Sequence, residues 1–472
     1  MKDTGLRKVD VAVIGAGTAG LAAYRAALKR GKDAVMIEAG AYGTTCARVG
    51  CMPSKLLIAA GEAAHHARHA GPFGVSATVK VDGRAVMDRV LRERDRFVGF
   101  VLDSVDNIPE AHRLTGRARF LSPNELDVQG VRVEARTVVI ATGSSPFIPA
   151  MFDKVRDRVV VNDDVFAWTD LPASVAVFGA GVIGLELGQA LHRLGVRVHI
   201  FGRGGAVGPL RDPVVKQAAA AALKAELPVE FDPKVLAVEP EGELGASVRY
   251  VDADGNERVE HIDAVLVAAG RRPNVQNLGL ENVQIPPNAV VDRATLRWGN
   301  TNIFVAGDAN NDIPLLHEAA DEGAIAGENA ALFPDVRPGK RRTPLAIAFT
   351  EPGLAVVGEG FAAAEAHGPY VAGYVDFGNQ GRSRIMLQNQ GAARVYADPV
   401  SRRFLGAEIA GPRAEHMAHL LAWAHQAELT IDQMLAMPFY HPVVEEGLRT
   451  ALRDVAAKLE SGAAESSSKV TK

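Results

Sequence analysis

With 472 residues and a net charge of −4, the chain has no basic excess with which to hold nucleic acid. Mean hydropathy is close to zero and no apolar run reaches the ~18 residues of a membrane span, so a bilayer is not an expected partner either. The length suits about three domains, and a charged N-terminus leading into a strand, with only two cysteines, points to a reducing, cytoplasmic setting.

In chain order, residues 9–14 read as a short buried strand. Gly15-Ala16-Gly17-Thr18-Ala19-Gly20 follows at once, then an Ala/Leu-rich helix over 21–29 and a strand over 33–37 that ends at Glu38. Strand, G-x-G-x-x-G, helix, strand and terminal acid is the order of a Rossmann dinucleotide unit. Gly15, Gly17 and Gly20 let the backbone approach a pyrophosphate at the helix N-terminus, and Glu38 offers a carboxylate to a ribose diol.

Both cysteines come next, Cys46 and Cys51, five positions apart in a segment punctuated by Gly50 and Pro53. A disulfide closing so small a loop constrains the unfolded chain little, so a redox pair is expected rather than a structural staple. The spacing predicts that both lie near one face at the start of a helix, whose N-terminus favours the thiolate. That helix is expected to run to about residue 70 and to carry His65, His66 and His69. His65 and His69 have the i, i+4 spacing of a metal pair, but no third ligand is evident; they read as a polar face, with no metal.

Residues 84–105 read as an amphipathic helix, 117–133 as a hairpin, and 138–144 as a buried strand ending in a glycine turn. A second unit follows: a strand over 175–178, Gly179-Ala180-Gly181-Val182-Ile183-Gly184, a helix to 194 and a strand over 196–201. Two such units imply two dinucleotides, one held and one exchanged. Glu38 lies 18 residues past Gly20, whereas the same step from Gly184 lands on Gly202, with Arg203 next. A missing carboxylate beside an arginine favours a 2′-phosphate, hence NADP(H) over NAD(H), with Arg211 in support.

Further on, 263–269 reads as a strand ending in a turn at Gly270-Arg271-Arg272-Pro273-Asn274. Residues 303–306 read as a strand followed by Gly307-Asp308, and 315–332 as a long helix; Asp308 at a strand end suits hydrogen bonding to a polyol. A Pro/Arg/Lys-rich linker over 334–344 opens an α+β lobe with strands over 345–349, 370–377, 392–396 and 404–409 and helices over 415–427 and 431–437. His441, between Tyr440 and Pro442, has Glu446 five residues on, an arrangement for acid–base work on a thiol, with a helix after it. The last segment, 460–472, is expected to be disordered.

Together these features resemble the class I pyridine nucleotide-disulfide oxidoreductases, in particular the dihydrolipoamide dehydrogenases, over about residues 9–455. The resemblance rests on Gly15 to Gly20 with Glu38, Thr45-Cys46 through Cys51-Met52-Pro53-Ser54-Lys55, Ala141-Thr142-Gly143-Ser144, and Gly179 to Gly184 with Glu186. It continues through Gly307-Asp308, the run from Leu316-His317 to Gly323, Phe349-Thr350-Glu351-Pro352, and His441-Pro442 with Glu446.

The resemblance implies an α/β chain of two Rossmann-like dinucleotide-binding domains plus a C-terminal α+β dimerisation domain. The FAD-binding domain would span 1–150, completed by about 271–340; the NAD(P)-binding domain 151–270; the interface domain 345–459. FAD would be held by the first glycine loop with Thr45, Lys55, Ala141, Thr142, Gly143, Leu316 and His317, with Glu38 on its adenosine ribose and Asp308 on its ribityl chain. The nicotinamide dinucleotide would fall to Gly179, Gly181, Gly184, Arg203 and Gly270. Cys51 would be the thiol nearer the flavin and Cys46 the one that attacks the substrate disulfide. Lys55 and Glu186 would form an ion pair beside the flavin. His441 and Glu446 would act across the interface of a homodimer.

The implied activity is two-electron transfer between a small, lipoamide-like dithiol/disulfide and a nicotinamide. Thr44, Arg48 and Val443 stand where lipoamide enzymes usually have Gly, Asn and Thr, and Gly202 makes the second unit more like that of glutathione reductase. An NADPH-dependent reductase of another small disulfide is therefore the alternative. A non-catalytic flavin sensor is opposed by the complete cysteine and His–Glu sets. The lack of a C-terminal cysteine pair argues against a long-tailed mercuric or thioredoxin reductase.

Overall fold

The computed structural model describes residues 5–243, 245–286 and 288–462. They form two compact units, the first from the described residues of Met1–Pro53, Val90–Phe147 and Arg271–Arg342, the second from those of Ser54–Arg89, Ile148–Gly270 and Thr343–Lys472.

In the first unit, Leu6–Ile14 pairs in parallel with Ala34–Glu38 on one side and Val131–Ile140 on the other. Residues 131–134 of that last strand pair antiparallel with Glu125–Val128, and 138–140 pair in parallel with Ile303–Val305. Both faces of this sheet are buried, one by Val11, Val13, Met36 and Phe304, the other by Ala12, Ile14, Ile37 and Val305. That double burial is why its strands read as apolar runs rather than alternating ones. The helix Thr18–Lys29 packs on Leu316–Leu332, and a Cβ built on Gly323 or Gly327 would lie 2.2 Å from the carbonyl oxygen of Ala19 or Ala23. Only glycine lets these two backbones come so near.

Two local expectations change here. The hairpin over 117–133 is the start of a meander, Ala118–Ser122, Glu125–Val128 and Val131–Ile140, whose last strand crosses into the parallel sheet. The turn at 270–274 contains a short strand, Arg271–Pro273, paired antiparallel with Ser144–Pro146. Local turn chemistry does not register a partner so distant in sequence.

In the second unit, a parallel sheet runs in the order Val229–Glu230, Arg197–Phe201, Ser174–Phe178, Ala264–Val267, Val159–Val160. A separate antiparallel meander, Lys234–Glu241, Gly245–Val251 and Glu257–Ile262, stands beside it in the chain. The C-terminal lobe is a five-stranded antiparallel sheet in the order Leu345–Ala348, Gly353–Gly358, Phe404–Gly411, Ala392–Ala397, Val371–Asp376. Ala414–Gln426 and Glu446–Ser461 cover it, burying Val357, Ile409, Leu421, Leu452 and Val455. The strand Gly353–Gly358 and the helix Gly360–His367 escape the sequence reading because glycines punctuate both. The final helix reaches Ser461 and is capped by Gly462, so residues 460–462 of the expected disordered tail are ordered with it; 463–472 lie outside the described residues.

Candidate active site

The two glycine loops repeat each other in detail. A Cβ on Gly15 would sit 2.3 Å from the Ala141 carbonyl oxygen, and one on Gly20 1.9 Å from that of Gly15. The corresponding distances are 2.3 Å from Gly179 to Ala268 and 1.9 Å from Gly184 to Gly179. Gly17 and Gly181 instead face open space and cap Thr18–Lys29 and Val182–Arg193 without a side-chain hydrogen bond, leaving the first helical amides without a side-chain cap. Glu38 closes the first loop: its Oε2 accepts from the Ala16 amide at 2.7 Å and its Oε1 from the Gly40 amide at 2.8 Å.

Asp308 follows the strand Ile303–Val305 by three residues. Its Oδ2 accepts from the Ser144 hydroxyl at 2.6 Å, and that hydroxyl accepts from Arg271 Nε at 2.8 Å. Two atoms of the same unit, Thr142 Oγ1 and His317 Nε2, are buried with no hydrogen-bond partner among the described residues. His317 Nε2 is 4.0 Å from Glu318 Oε1, beyond bonding reach. A helix start with open amides, a carboxylate at the strand end, and orphaned buried polar atoms at Thr142 and His317 fit FAD in the first unit. The second unit offers a like helix start to a nicotinamide dinucleotide. Ala141 and Gly143 flank Thr142, and Leu316, which opens the helix of His317, is exposed.

The single cysteine helix is in fact two. Cys46 is the second residue of Thr45–Val49, Gly50 (φ −129°, ψ −117°) breaks the ladder, and Cys51 opens Cys51–Arg68. A Cβ on Gly50 would lie 3.1 Å from Cys46 Cα and from the Thr45 carbonyl oxygen, so the break is too tight for a side chain to enter freely. Each thiol therefore sits in the first turn of its own helix, Cys46 half-buried and Cys51 exposed. The 18-residue helix that Cys51 opens favours its thiolate.

Thr44, just before this pair, has φ +57° and ψ 150°, a region almost confined to glycine and hardest on a β-branched side chain. Its hydroxyl gains a cap in return, accepting from the Ala47 amide at 3.3 Å. Thr44→Gly is expected to stabilise the fold by about 1–2 kcal/mol, the relieved strain less a few tenths for the lost cap. A thermal melt checks this; a lower Tm would mean that the cap outweighs the strain.

Lys55 lies one turn past Cys51 on the same helix. Its Nζ donates to Glu186 Oε2 at 2.7 Å, and Glu186, only 4% exposed, accepts through Oε1 from the Phe349 amide at 2.9 Å. The Phe349 ring lies under the ammonium, 4.6 Å from its centroid. Glu186 belongs to the helix that starts at the second glycine loop, so Cys51–Arg68 is tied to that helix at Lys55. The sequence shows Phe349 only as part of a motif; its ring under Lys55 depends on long-range packing.

His441 and Glu446 meet in the C-terminal lobe. His441 Nδ1 lies 3.0 Å from Glu446 Oε2 and 3.2 Å from Oε1. Burial raises the Glu446 carboxyl, but hydrogen bonds from the Val443 amide and His441, with the nearby Arg449, outweigh it and hold Glu446 below the usual carboxylate range. Arg449 Nη2 donates to its Oε1 at 2.7 Å. The His441 side chain is 81% exposed, on the surface of its own lobe.

The histidines after the cysteines are more than a polar face. Arg193, 4% exposed, donates Nε and Nη2 to Glu226 at 2.6 and 2.9 Å and Nη1 to Glu351 Oε2 at 3.0 Å. His65 Nδ1 lies 3.4 Å from Glu226 Oε1, and its ring stacks on His69 at 4.1 Å. Among the described residues, no three His, Cys, Asp or Glu side chains are grouped to hold a metal ion. Burial, and then the Arg193 guanidinium, push His65 down to about 4 from an ordinary 6.5, so it is neutral at pH 7. The unfolded chain takes up this proton more readily than the fold, so stability is expected to fall between pH 7 and pH 5. His65→Gln should shrink that fall in Tm; an equal fall in both proteins would place the acid sensitivity elsewhere.

In the second nucleotide unit, Gly202 has no room for a side chain, since a Cβ there would lie 2.5 Å from the Phe231 carbonyl oxygen. Arg203 is exposed, and its guanidinium makes no hydrogen bond or ion pair among the described residues. Asp232, which the sequence reading overlooks, accepts from the Gly204 amide at 2.7 Å. The Arg211 amide is taken by Glu408 Oε2 at 2.7 Å, and the residue is exposed. Gly270 (φ +104°) leads into the short strand Arg271–Pro273.

Two glycine-loop nucleotide units joined to an antiparallel C-terminal lobe, with one cysteine pair, define a flavin disulfide oxidoreductase. Residues 9–323 match the family described as pyridine nucleotide-disulphide oxidoreductase and residues 345–452 match its dimerisation domain, so the chain belongs to that family. Membership implies FAD and a nicotinamide cofactor. A dihydrolipoyl dehydrogenase of Halobacterium salinarum is 32% identical over 468 residues, covering 94% of this chain and 95% of its own. A mercuric reductase of Staphylococcus aureus is 27% identical, over 94% of this chain and 81% of its own. The HOCl-induced flavoprotein disulfide reductase RclA from Escherichia coli shares the fold, with a TM-score of 0.76 and 22% identity over 94% of this chain and 99% of that one. No helix among the described residues is long and apolar enough to cross a membrane.

Proposed function

We propose that this chain is a homodimeric, cytoplasmic oxidoreductase that moves electron pairs between a small lipoamide-type dithiol/disulfide and NADP(H), using FAD and the Cys46–Cys51 couple. The observation that carries the reading is the Lys55–Glu186 pair, which ties the helix that Cys51 opens to the helix of the second glycine loop.

FAD, when bound, supplies a two-electron carrier between the nicotinamide and the sulfurs. Its holders would be the Gly15–Gly20 loop, Glu38, Thr142, Asp308 and His317. In the substrate-oxidising direction, one substrate thiol gives its proton to His441 and attacks Cys46 of the Cys46–Cys51 disulfide. The second substrate thiol then closes the substrate disulfide and releases Cys46, leaving two reduced enzyme sulfurs. Overall, dithiol and NADP⁺ become disulfide, NADPH and a proton. Glu446 holds the ring through Nδ1 and balances the charge it gains. An exposed His441 on the lobe that matches a dimerisation domain supports its working on the thiols of a second copy.

The test is a panel of lipoamide and glutathione disulfide, each with NADH and NADPH. Lipoamide turnover with NADPH is the expected best case; faster glutathione disulfide turnover would favour the alternative that Gly202 and Arg203 raise. Arg203→Ala should raise KM for NADPH about tenfold or more, the loss of one charge-assisted pair, and leave NADH unchanged. A wild-type kcat/KM higher for NADH than for NADPH would overturn the NADP(H) assignment.

A further inference from the structure

Residues 334–344 read as a linker, yet Arg341 within it is largely buried and gathers three carboxylates. Its Nη2 donates to Glu318 Oε2 at 2.6 Å, and its Nη1 lies 2.9 Å from Glu322 Oε1 and 3.2 Å from Asp312 Oδ2. Glu318 and Glu322 are 3% and 1% exposed. Glu322 reaches onward: its Oε2 accepts from the Gly307 amide at 2.8 Å, and its Oε1 is 3.4 Å from Asn310 Nδ2. Gly307 immediately precedes Asp308, and Glu318 immediately follows His317. One guanidinium thus ties the turn that carries Asp308 to the first two turns of the helix that carries His317.

We propose that Arg341 is a positioning residue of the flavin site, holding Glu322 against the Gly307 amide so that Asp308 and His317 present a fixed pair of contacts to FAD. This rests on the FAD reading above. The charges around Glu322 explain the need. Asn310, Asp312 and Arg341 face it, Arg341 also takes Glu318, and Arg293 is engaged with Asp312 at 2.7 Å. Glu318 and Glu322 therefore share Arg341. Burial pushes the Glu322 carboxyl up, and Arg341 and the Gly307 amide pull it only part of the way back toward 4.5. Removing Arg341 pushes it higher still. A carboxyl whose value in the fold exceeds its value in the unfolded chain costs stability as pH rises, because charging it in place becomes obligatory. An Arg341 variant should therefore lose its hold on flavin toward alkaline pH.

The experiment uses the full chain and measures FAD carried per polypeptide and the FAD Kd of the apoprotein between pH 6 and pH 9. Arg341→Gln is expected to weaken FAD binding about tenfold or more at pH 8.5 and clearly less at pH 6. Arg341→Lys keeps the charge but loses the fork, so it should bind with intermediate affinity, and it gives the same comparison should Arg341→Gln not fold. Adding Glu322→Gln to Arg341→Gln should remove the pH dependence. Wild-type affinity in both Arg341 variants at both pH values, or a pH dependence that survives in the double variant, overturns the proposal. A wild-type protein that takes up no flavin overturns the FAD reading itself.

Discussion

Cys46→Ser is expected to lower turnover of a small disulfide by on the order of a thousandfold or more, while FAD stays bound and dye reduction by NADPH persists. A serine hydroxyl holds its proton at neutral pH, so the attack on sulfur is lost. The groups that fit the cofactors lie elsewhere: the two glycine loops, Glu38, Thr142, Asp308 and His317. Cys46 is half-buried in a five-residue helix whose cap is Thr44, and replacing one sulfur by oxygen leaves that cap in place. Steady-state rates with disulfide and with dye, on the same preparation, separate the two functions. Retained disulfide turnover would remove Cys46 from its role.

Arg193→Met should destabilise the chain by about 3–5 kcal/mol, because two carboxylates lose the cation they share in a buried setting. Glu226 and Glu351 are the partners; Glu351 is also tied through its backbone, its amide donating to Gln189 Oε1 and its carbonyl accepting from Gln189 Nε2, both at 2.8 Å. Methionine matches the length of the arginine stem, so the loss measures charge rather than volume. Urea unfolding at pH 7 reads it directly. The same variant removes a charge that depresses His65, so its acid sensitivity between pH 7 and pH 5 should also shrink. A loss under about 1 kcal/mol would show that water had taken over the role of the guanidinium.

What the sequence makes legible is what local spacing dictates. Gly15, Gly17 and Gly20 announce their turn because steric exclusion acts within a few residues, and the Gly179 loop repeats it to the ångström. The His441–Glu446 contact is also local, five residues apart. Long-range pairings are not legible. Nothing near Arg341 says that it meets Glu318 and Glu322, and nothing near Arg271 says that its segment pairs with Ser144. The break at Gly50 falls between these cases. A glycine between two cysteines is visible, but only the approach of Cys46 Cα and the Thr45 carbonyl shows why one helix becomes two. The strain at Thr44 is of the same kind, since a departure from glycine is readable and its backbone angle is not.

The strand Val131–Ile140 has a consequence for biosynthesis. Its final residues pair with Ile303–Val305, which leave the ribosome only after the whole second glycine-loop unit has been made. Until then Val138, Val139 and Ile140 form an open, apolar ledge on a nascent chain. The polypeptide therefore has a long window during translation in which this strand edge waits for its partner.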